Sequence, residues 1–147
     1  ADSPKDVSDV DDLSELEGLD GIICGIPTWN TGADEERSGT AWDSILEDIG
    51  ELSLSGKKVA IFGLGDSSTY TENYCDAMEE LHSYFQKAGA DMVGYVDKSS
   101  YTFEESKSII GESFCGLPLD EDSESDLTDS RLETWASQLK NEIPSLA

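Results

Sequence analysis

Two short stretches combine residue types that can hold a flat ligand: Pro27-Thr28-Trp29-Asn30-Thr31-Gly32 and Gly65-Asp66-Ser67-Ser68-Thr69-Tyr70. Each sets one large aromatic among glycine, hydroxyl and amide or acid side chains, and each follows directly on an apolar run. A Trp and a Tyr exposed on neighbouring strand tips can grip a ring between them, each stacking contact adding ~0.5–1.5 kcal/mol beyond the area buried. Backbone N–H groups near Gly32 and Gly65 can reach the polar edge of that ring, because glycine lets the main chain come close. The chemistry indicated is recognition of a planar heteroaromatic group. Polar flanks at a strand exit favour that role for Trp29 over an ordinary core position. Trp42 and Trp135 fall on helical stripes and read as core.

The elements that must position these loops follow from periodicity. Residues 21–26 and 59–64 are apolar at successive positions, as in strands covered on both faces of a parallel sheet. Residues 92–96 are a third candidate strand and 114–117 a fourth. Between them, Trp42, Ile45, Leu46 and Ile49 keep helical spacing. A second stripe runs through Tyr74, Ala77, Met78, Leu81, Phe85 and Ala88, closed by Gly89. A third runs through Leu132, Trp135, Ala136, Leu139 and Ile143, with Thr128 as its N-cap, Leu127 and Leu132 as a hydrophobic staple and Pro144 as its stop. Alternating strands and helices predict an open, doubly wound α/β sheet, in which ligands bind outside the carboxyl ends of the strands.

Composition narrows the function. A chain of 147 residues makes one domain, and 33 acids against 9 basic residues give a net charge of −24. Such a surface repels phosphate backbones and anionic lipid, so nucleic acid is excluded as a partner and basic proteins are favoured. No apolar run approaches the ~20 residues of a membrane-spanning helix, so membrane insertion is not expected. Cys24, Cys75 and Cys115 are widely spaced and read as buried free thiols. A lone histidine, His82, builds no metal site or nucleophilic set and reads as structural. The acidic run 120–126 is not a calcium loop, since Ser125 and Arg131 stand where that loop needs Gly and Glu.

Several segments, in order and spacing, resemble a known family. PTWNTGADEERSGTAWD (27–43), IFGLGDSSTYTENYCDA (61–77) and residues 101–143 are similar to the long-chain flavodoxins of algae and cyanobacteria, from about Val10 onward. The resemblance implies a flavodoxin-like, three-layer, doubly wound parallel sheet as a single domain over 1–147. Residues 1–12 would be an acidic lead-in and 97–116 the long-chain insertion loop in the last strand. FMN is the cofactor implied, with Trp29 and Tyr70 sandwiching its ring. Thr28, Asn30, Thr31 and Gly32 would form the first flavin loop, with Gly65, Asp66 and Asn73 in or beside the second. A peptide at Asn30–Thr31 or its neighbour would turn over when the flavin N5 gains a proton. The implied function is a low-potential one-electron carrier rather than an enzyme, serving photosynthesis in the chloroplast stroma (cytoplasm if bacterial). Photosystem I would be the donor and ferredoxin–NADP reductase the acceptor.

The chain also departs from that pattern. The strand, T-x-T-G-N-T phosphate loop and helix that open the family have no counterpart, so a missing β-α unit and an unpaired edge on strand 21–26 are expected. Thr69, Glu72 and Tyr74 replace the usual Gly, Asp and Phe, and Thr69 cannot take positive φ as glycine would. An alternative reading is a flavin-free interaction subunit docked on a larger, photosystem I-type complex. Acids at Asp34, Glu35 and Glu36 and at 120–126 leave carboxyl ends of strands and are expected to form a docking rim.

Overall fold

The computed structural model describes residues 1–146; Ala147, the last residue of the expected domain, lies outside them. Strands β1 (Gly21–Pro27) and β2 (Lys58–Leu64) run parallel over their whole lengths, from Gly21 opposite Lys58 to Pro27 opposite Leu64. The other edge of β2 is shared. Its first half pairs in parallel with β3 (Asp91–Val93). The chain then leaves the sheet and builds a separate three-stranded antiparallel sheet from β4 (Val96–Asp97), β5 (Ile109–Ile110) and β6 (Ser113–Phe114). It returns as β7 (Leu117–Leu119), parallel to the second half of β2. One strand position is thus filled by two short strands, with 94–116 as an excursion between them. Among the described residues, β1 pairs with β2 alone.

Alternation along β2 divides the interior. Val59 and Ile61 face helices α1 (Leu46–Gly50) and α2 (Ala77–Lys87), in a core with Leu54, Met78, Leu81 and Phe85. Ala60 faces the opposite way, toward α3 (Thr128–Glu142) and its Trp135, Leu139 and the following Ile143. This is a three-layer parallel α/β sheet, as the residue pattern implies. The lead-in carries one 3-10 turn, Val7–Asp9, capped by Asp6, and a second, Leu13–Gly18, capped by Asp12, follows it. Cys24, Cys75 and Cys115 are buried free thiols, and burial raises each of them, Cys24 and Cys115 to about 12. His82 is buried, with Nε2 2.6 Å from the Tyr95 hydroxyl, and burial lowers its pKa.

Several boundaries differ from the expected ones, each for a local reason. The strand expected at 92–96 stops at Val93, because Gly94 turns out of the sheet at φ 80°. Its carbonyl accepts from Trp135 Nε1 (2.9 Å) and its N–H donates to Glu142 (3.1 Å). The candidate at 114–117 divides: Phe114 belongs to the small sheet and Leu117 begins β7. Tyr74 is not on the helical stripe, since Cys75 takes φ 53° and α2 starts at Ala77. Its ring instead packs with Tyr101, Phe103 and Phe114 of the excursion, at centroid distances of 5.9–6.4 Å. Thr128 is helical and does not cap α3; the turn before it, Ser125–Leu127, leads straight in. Leu127, Leu132 and Ala136 are exposed, which narrows the buried stripe of α3 to Trp135, Leu139 and Ile143. Trp42 is half-buried in a 3-10 turn (Ala41–Ser44), with its Nε1 donating to Gly25 O at 2.9 Å.

Re-entry of the excursion depends on Gly116. A Cβ there would lie 2.2 Å from the Ile61 carbonyl oxygen, and that carbonyl belongs to the central strand and has little freedom to move. Gly116→Ala is expected to destabilise the fold by roughly 1–3 kcal/mol, the usual cost of overpacking. Gly18→Ala, with nothing within 4 Å of the new methyl, is expected to change stability by no more than about 0.5 kcal/mol. Urea midpoints of the two variants test the difference.

Candidate functional site

Both aromatic loops start at the same end of the sheet, from hydrogen-bonded neighbours. The ladder continues past the strand ends: Thr28 N–H donates to Leu64 O (3.1 Å) and Gly65 N–H to Leu119 O (3.0 Å). Trp29 follows Thr28 directly, and Tyr70 lies five residues past Gly65, in a turn whose Tyr70 N–H donates to Asp66 O. They are 73% and 48% exposed, higher than any other large hydrophobic side chain among the described residues. Neither ring belongs to the core. Two exposed aromatics at the carboxyl ends of adjacent parallel strands suit a flat ligand held at the rim of an open α/β sheet.

The first loop is tightly supported. Trp29 N–H donates to Ser38 O (3.1 Å), Asn30 N–H to Arg37 O (3.0 Å) and Asn30 Nδ2 to Glu36 O (3.1 Å). Thr31 Oγ1 donates to Thr28 O (3.2 Å) and Ala33 N–H to Asn30 O (3.3 Å), with Gly32 at φ 84° between them. Thr28 Oγ1 accepts the Ala77 N–H at the start of α2, which leaves its own O–H as a donor. Ser38 is fully buried, donating to Asp43 Oδ1 at 2.6 Å. Arg37 Nη1 reaches Asp76 O (3.2 Å) and the Glu79 carboxylate (2.7 Å), while Nε and Nη2 reach Asp34 O.

The second loop is built on two carboxylates. Asp66 Oδ1 accepts from Thr69 N–H (3.0 Å), Ser68 N–H (3.1 Å) and Ser123 Oγ (3.0 Å). These bonds, Thr69 first, hold its carboxyl below the ordinary range. Asp66 is therefore a turn anchor. Asp120 is completely buried and accepts from Ser67 N–H (2.9 Å), Ser67 Oγ (2.6 Å), Ser123 N–H (2.7 Å) and Asp122 N–H (3.1 Å). Tyr70 N–H donates to Asp66 O and Asn73 N–H to Tyr70 O, both at 3.0 Å.

The expected site residues are thus gathered on two adjacent loops, with adjustments. The Gly65 N–H is engaged by Leu119 O, so it does not reach outward. Gly65 is needed instead for packing, since a Cβ there would lie 3.0 Å from Cys75 Sγ. Thr69 poses no strain, because Glu36 and Cys75 are the non-glycine residues at positive φ among those described. The acidic run is not wholly a solvated rim: Asp120 points inward, and Glu124 pairs with Arg131 at 3.2 Å. Asp34, Glu35, Glu36 and Asp122 remain exposed. Arg37, Glu80 and Asp120 were not legible as site supports. In sequence Arg37 and Asp120 sit within charged stretches that read as surface, Glu80 flanks an apolar helical stripe, and no local signal marks any of them.

Sheet order, layers and paired strand-tip loops define a flavodoxin-like α/β protein. The family model for flavodoxin matches residues 3–135. The chain is 43% identical over 132 residues to a flavodoxin of Synechococcus elongatus, covering 90% of this chain and 75% of that protein. It is 37% identical to flavodoxin 1 of Salmonella typhimurium, over 95% of this chain and 80% of that one. A crystal structure of Fusobacterium nucleatum flavodoxin bound to flavin mononucleotide superposes with a TM-score of 0.81 at 30% identity, covering 89% and 76% of the two chains. The chain belongs to the flavodoxin family, whose members are electron carriers and not enzymes.

Replacing Asp120 by Ala leaves Ser67, Asp122 and Ser123 N–H groups without their acceptor under the second loop. The expected loss is roughly 2–3 kcal/mol, the scale for hydrogen bonds to a charged group. Chemical denaturation measures it, and faster amide exchange at Ser67 and Ser123 would locate it.

Proposed function

We propose that this chain binds FMN at the Trp29–Tyr70 rim and works as a low-potential one-electron carrier of the long-chain type. The observation carrying this reading is the pair of exposed aromatics on the tips of adjacent, hydrogen-bonded strands. FMN, when bound, supplies the one-electron redox chemistry. The chain's own residues supply its setting. Trp29 and Tyr70 offer flat apolar faces that exclude water from a ring. Thr28, Asn30, Thr31, Gly32 and Asn73 frame its polar edge. The Asn30 carbonyl is held by a long bond from Ala33 N–H, with Gly32 two residues on, which leaves this peptide able to turn. The exposed carboxylates nearby and the net charge of −24 make added negative charge unfavourable at this end of the sheet, the physical origin of a low potential. The residues described here fit the ring end of the cofactor.

The long-chain assignment draws support from the excursion 94–116 between β3 and β7. A photosynthetic role, with photosystem I and ferredoxin–NADP reductase as partners in a chloroplast stroma or bacterial cytoplasm, draws support from the cyanobacterial relative. A flavin-free docking subunit draws none from the comparisons.

Titration of the apoprotein with FMN, followed by visible absorbance and Trp fluorescence, tests the reading. One FMN per chain is expected, and Trp29→Ala should weaken binding about tenfold, equivalent to ~1.4 kcal/mol. A natively folded chain that binds no flavin would overturn it.

Docking has its own signature. Exposed ion pairs contribute ~0–1 kcal/mol each, so affinity for a basic partner should be modest and exchange fast. Raising salt, or neutralising Asp34, Glu35 and Glu36 together, is expected to slow association much more than dissociation. Stopped-flow rates indifferent to both would leave the acidic surface a role in solubility alone.

A further inference from the structure

The first loop is 13 residues long, from Thr28 to Thr40, yet two backbone N–H groups of its far half are held by one carboxylate of α2. Glu80, in the first turn of α2 and 9% exposed, accepts Glu36 N–H on Oε2 (2.8 Å) and Arg37 N–H on Oε1 (2.7 Å). The two residues it grips are also the ones that hold the aromatic side of the loop. Glu36 O accepts Asn30 Nδ2, Arg37 O accepts Asn30 N–H, and the next carbonyl, Ser38 O, accepts Trp29 N–H. Glu36 sits at φ 54°, a left-handed conformation that a side chain other than glycine keeps only when its surroundings impose it. Both oxygens of Glu80 point at that imposition.

We propose that Glu80 is a positioning residue for flavin binding, acting through the Glu36–Arg37 peptides on Asn30 and Trp29, with Arg37 as a second fastening. This rests on the FMN reading above. A carboxylate nearly removed from water persists where charge-assisted bonds replace its hydration, and its place at the N-terminal end of a helix adds a favourable dipole. Arg37 completes the clamp from the loop side, its guanidinium bridging Asp34 O, Asp76 O and the Glu79 carboxylate. The ring-facing residues are thereby pre-ordered before any ligand arrives, which lowers the ordering cost of binding.

Glu80→Gln tests this with little change in shape. An amide can offer an acceptor to one of the two N–H groups but turns a donor toward the other. Glu133→Gln, an exposed acid on α3, controls for the loss of one negative charge. FMN affinity and the visible spectrum of the complex are measured for wild type and both variants, and amide exchange is measured on the apoproteins. E80Q is expected to bind FMN about tenfold more weakly, with a shifted visible spectrum. Exchange at Asn30, Glu36 and Arg37 should be at least about tenfold faster while Leu81 and Phe85 stay protected, and E133Q should match wild type throughout. E80Q that binds FMN with wild-type affinity and spectrum, or that leaves the loop amides as slow as before, overturns the positioning role alone. A wild-type chain that binds no FMN overturns the functional reading, and this role with it.

Discussion

Among the described residues, every hydrogen-bonded pairing in the main sheet is made through β2, and a strand has only two edges. One edge is given whole to β1. The other is divided, with Lys58–Ala60 bonded to β3 and Phe62–Leu64 to β7. Ile61 stands at the junction, and its carbonyl is where Gly116 must pass without a side chain. The ladder on both sides of Leu64 then runs one residue beyond the strands, through Thr28 and Gly65. Those bonds set the roots of the two aromatic loops. Position at the rim is therefore inherited from pairing in the interior.

Charge in this protein works in two places. Most of the 33 acids face water and set the field that a partner meets. Three do not: Asp76, Glu80 and Asp120 are buried. Asp76 accepts Lys107 N–H, Glu80 accepts from Glu36 and Arg37, and Asp120 takes four donors under the second loop. Loops with few apolar contacts gain definition from charge-assisted bonds to backbone N–H groups, where a neutral acceptor would hold them less firmly. An acidic surface and an acid-braced interior thus use the same residue types for opposite ends.

Much of this was legible in the sequence. The continuous apolar runs of β1 and β2 mark buried parallel strands, and Trp29 and Tyr70 stand out by their polar company. The reading failed where long-range pairing decides. Residues 92–96 and 114–117 look like two ordinary strands, because nothing local shows that β3 and β7 divide one edge of β2 and that 94–116 lies between. Tyr74 keeps helical spacing with Met78 and Leu81, but a left-handed Cys75 separates it from the helix. Asp120 opens a run of acids that reads as solvated, yet four donors lie in wait for it. Glu80 flanks an apolar stripe and carries no mark of its partner 44 residues away.

The excursion also returns bonds to the body of the protein. Ser106 Oγ donates to Tyr74 O, Ser108 Oγ to Cys75 O, and Lys107 N–H to Asp76. Ser108 Oγ also receives the Glu79 N–H at the start of α2. The bend that carries the chain from the second loop into that helix is therefore half made of residues about thirty positions further on. Structurally, the segment and the bend form one unit. A descendant that shed 94–116 would expose three acceptors at Tyr74, Cys75 and Asp76 together, so its loss requires a concerted rewriting of the stretch before α2.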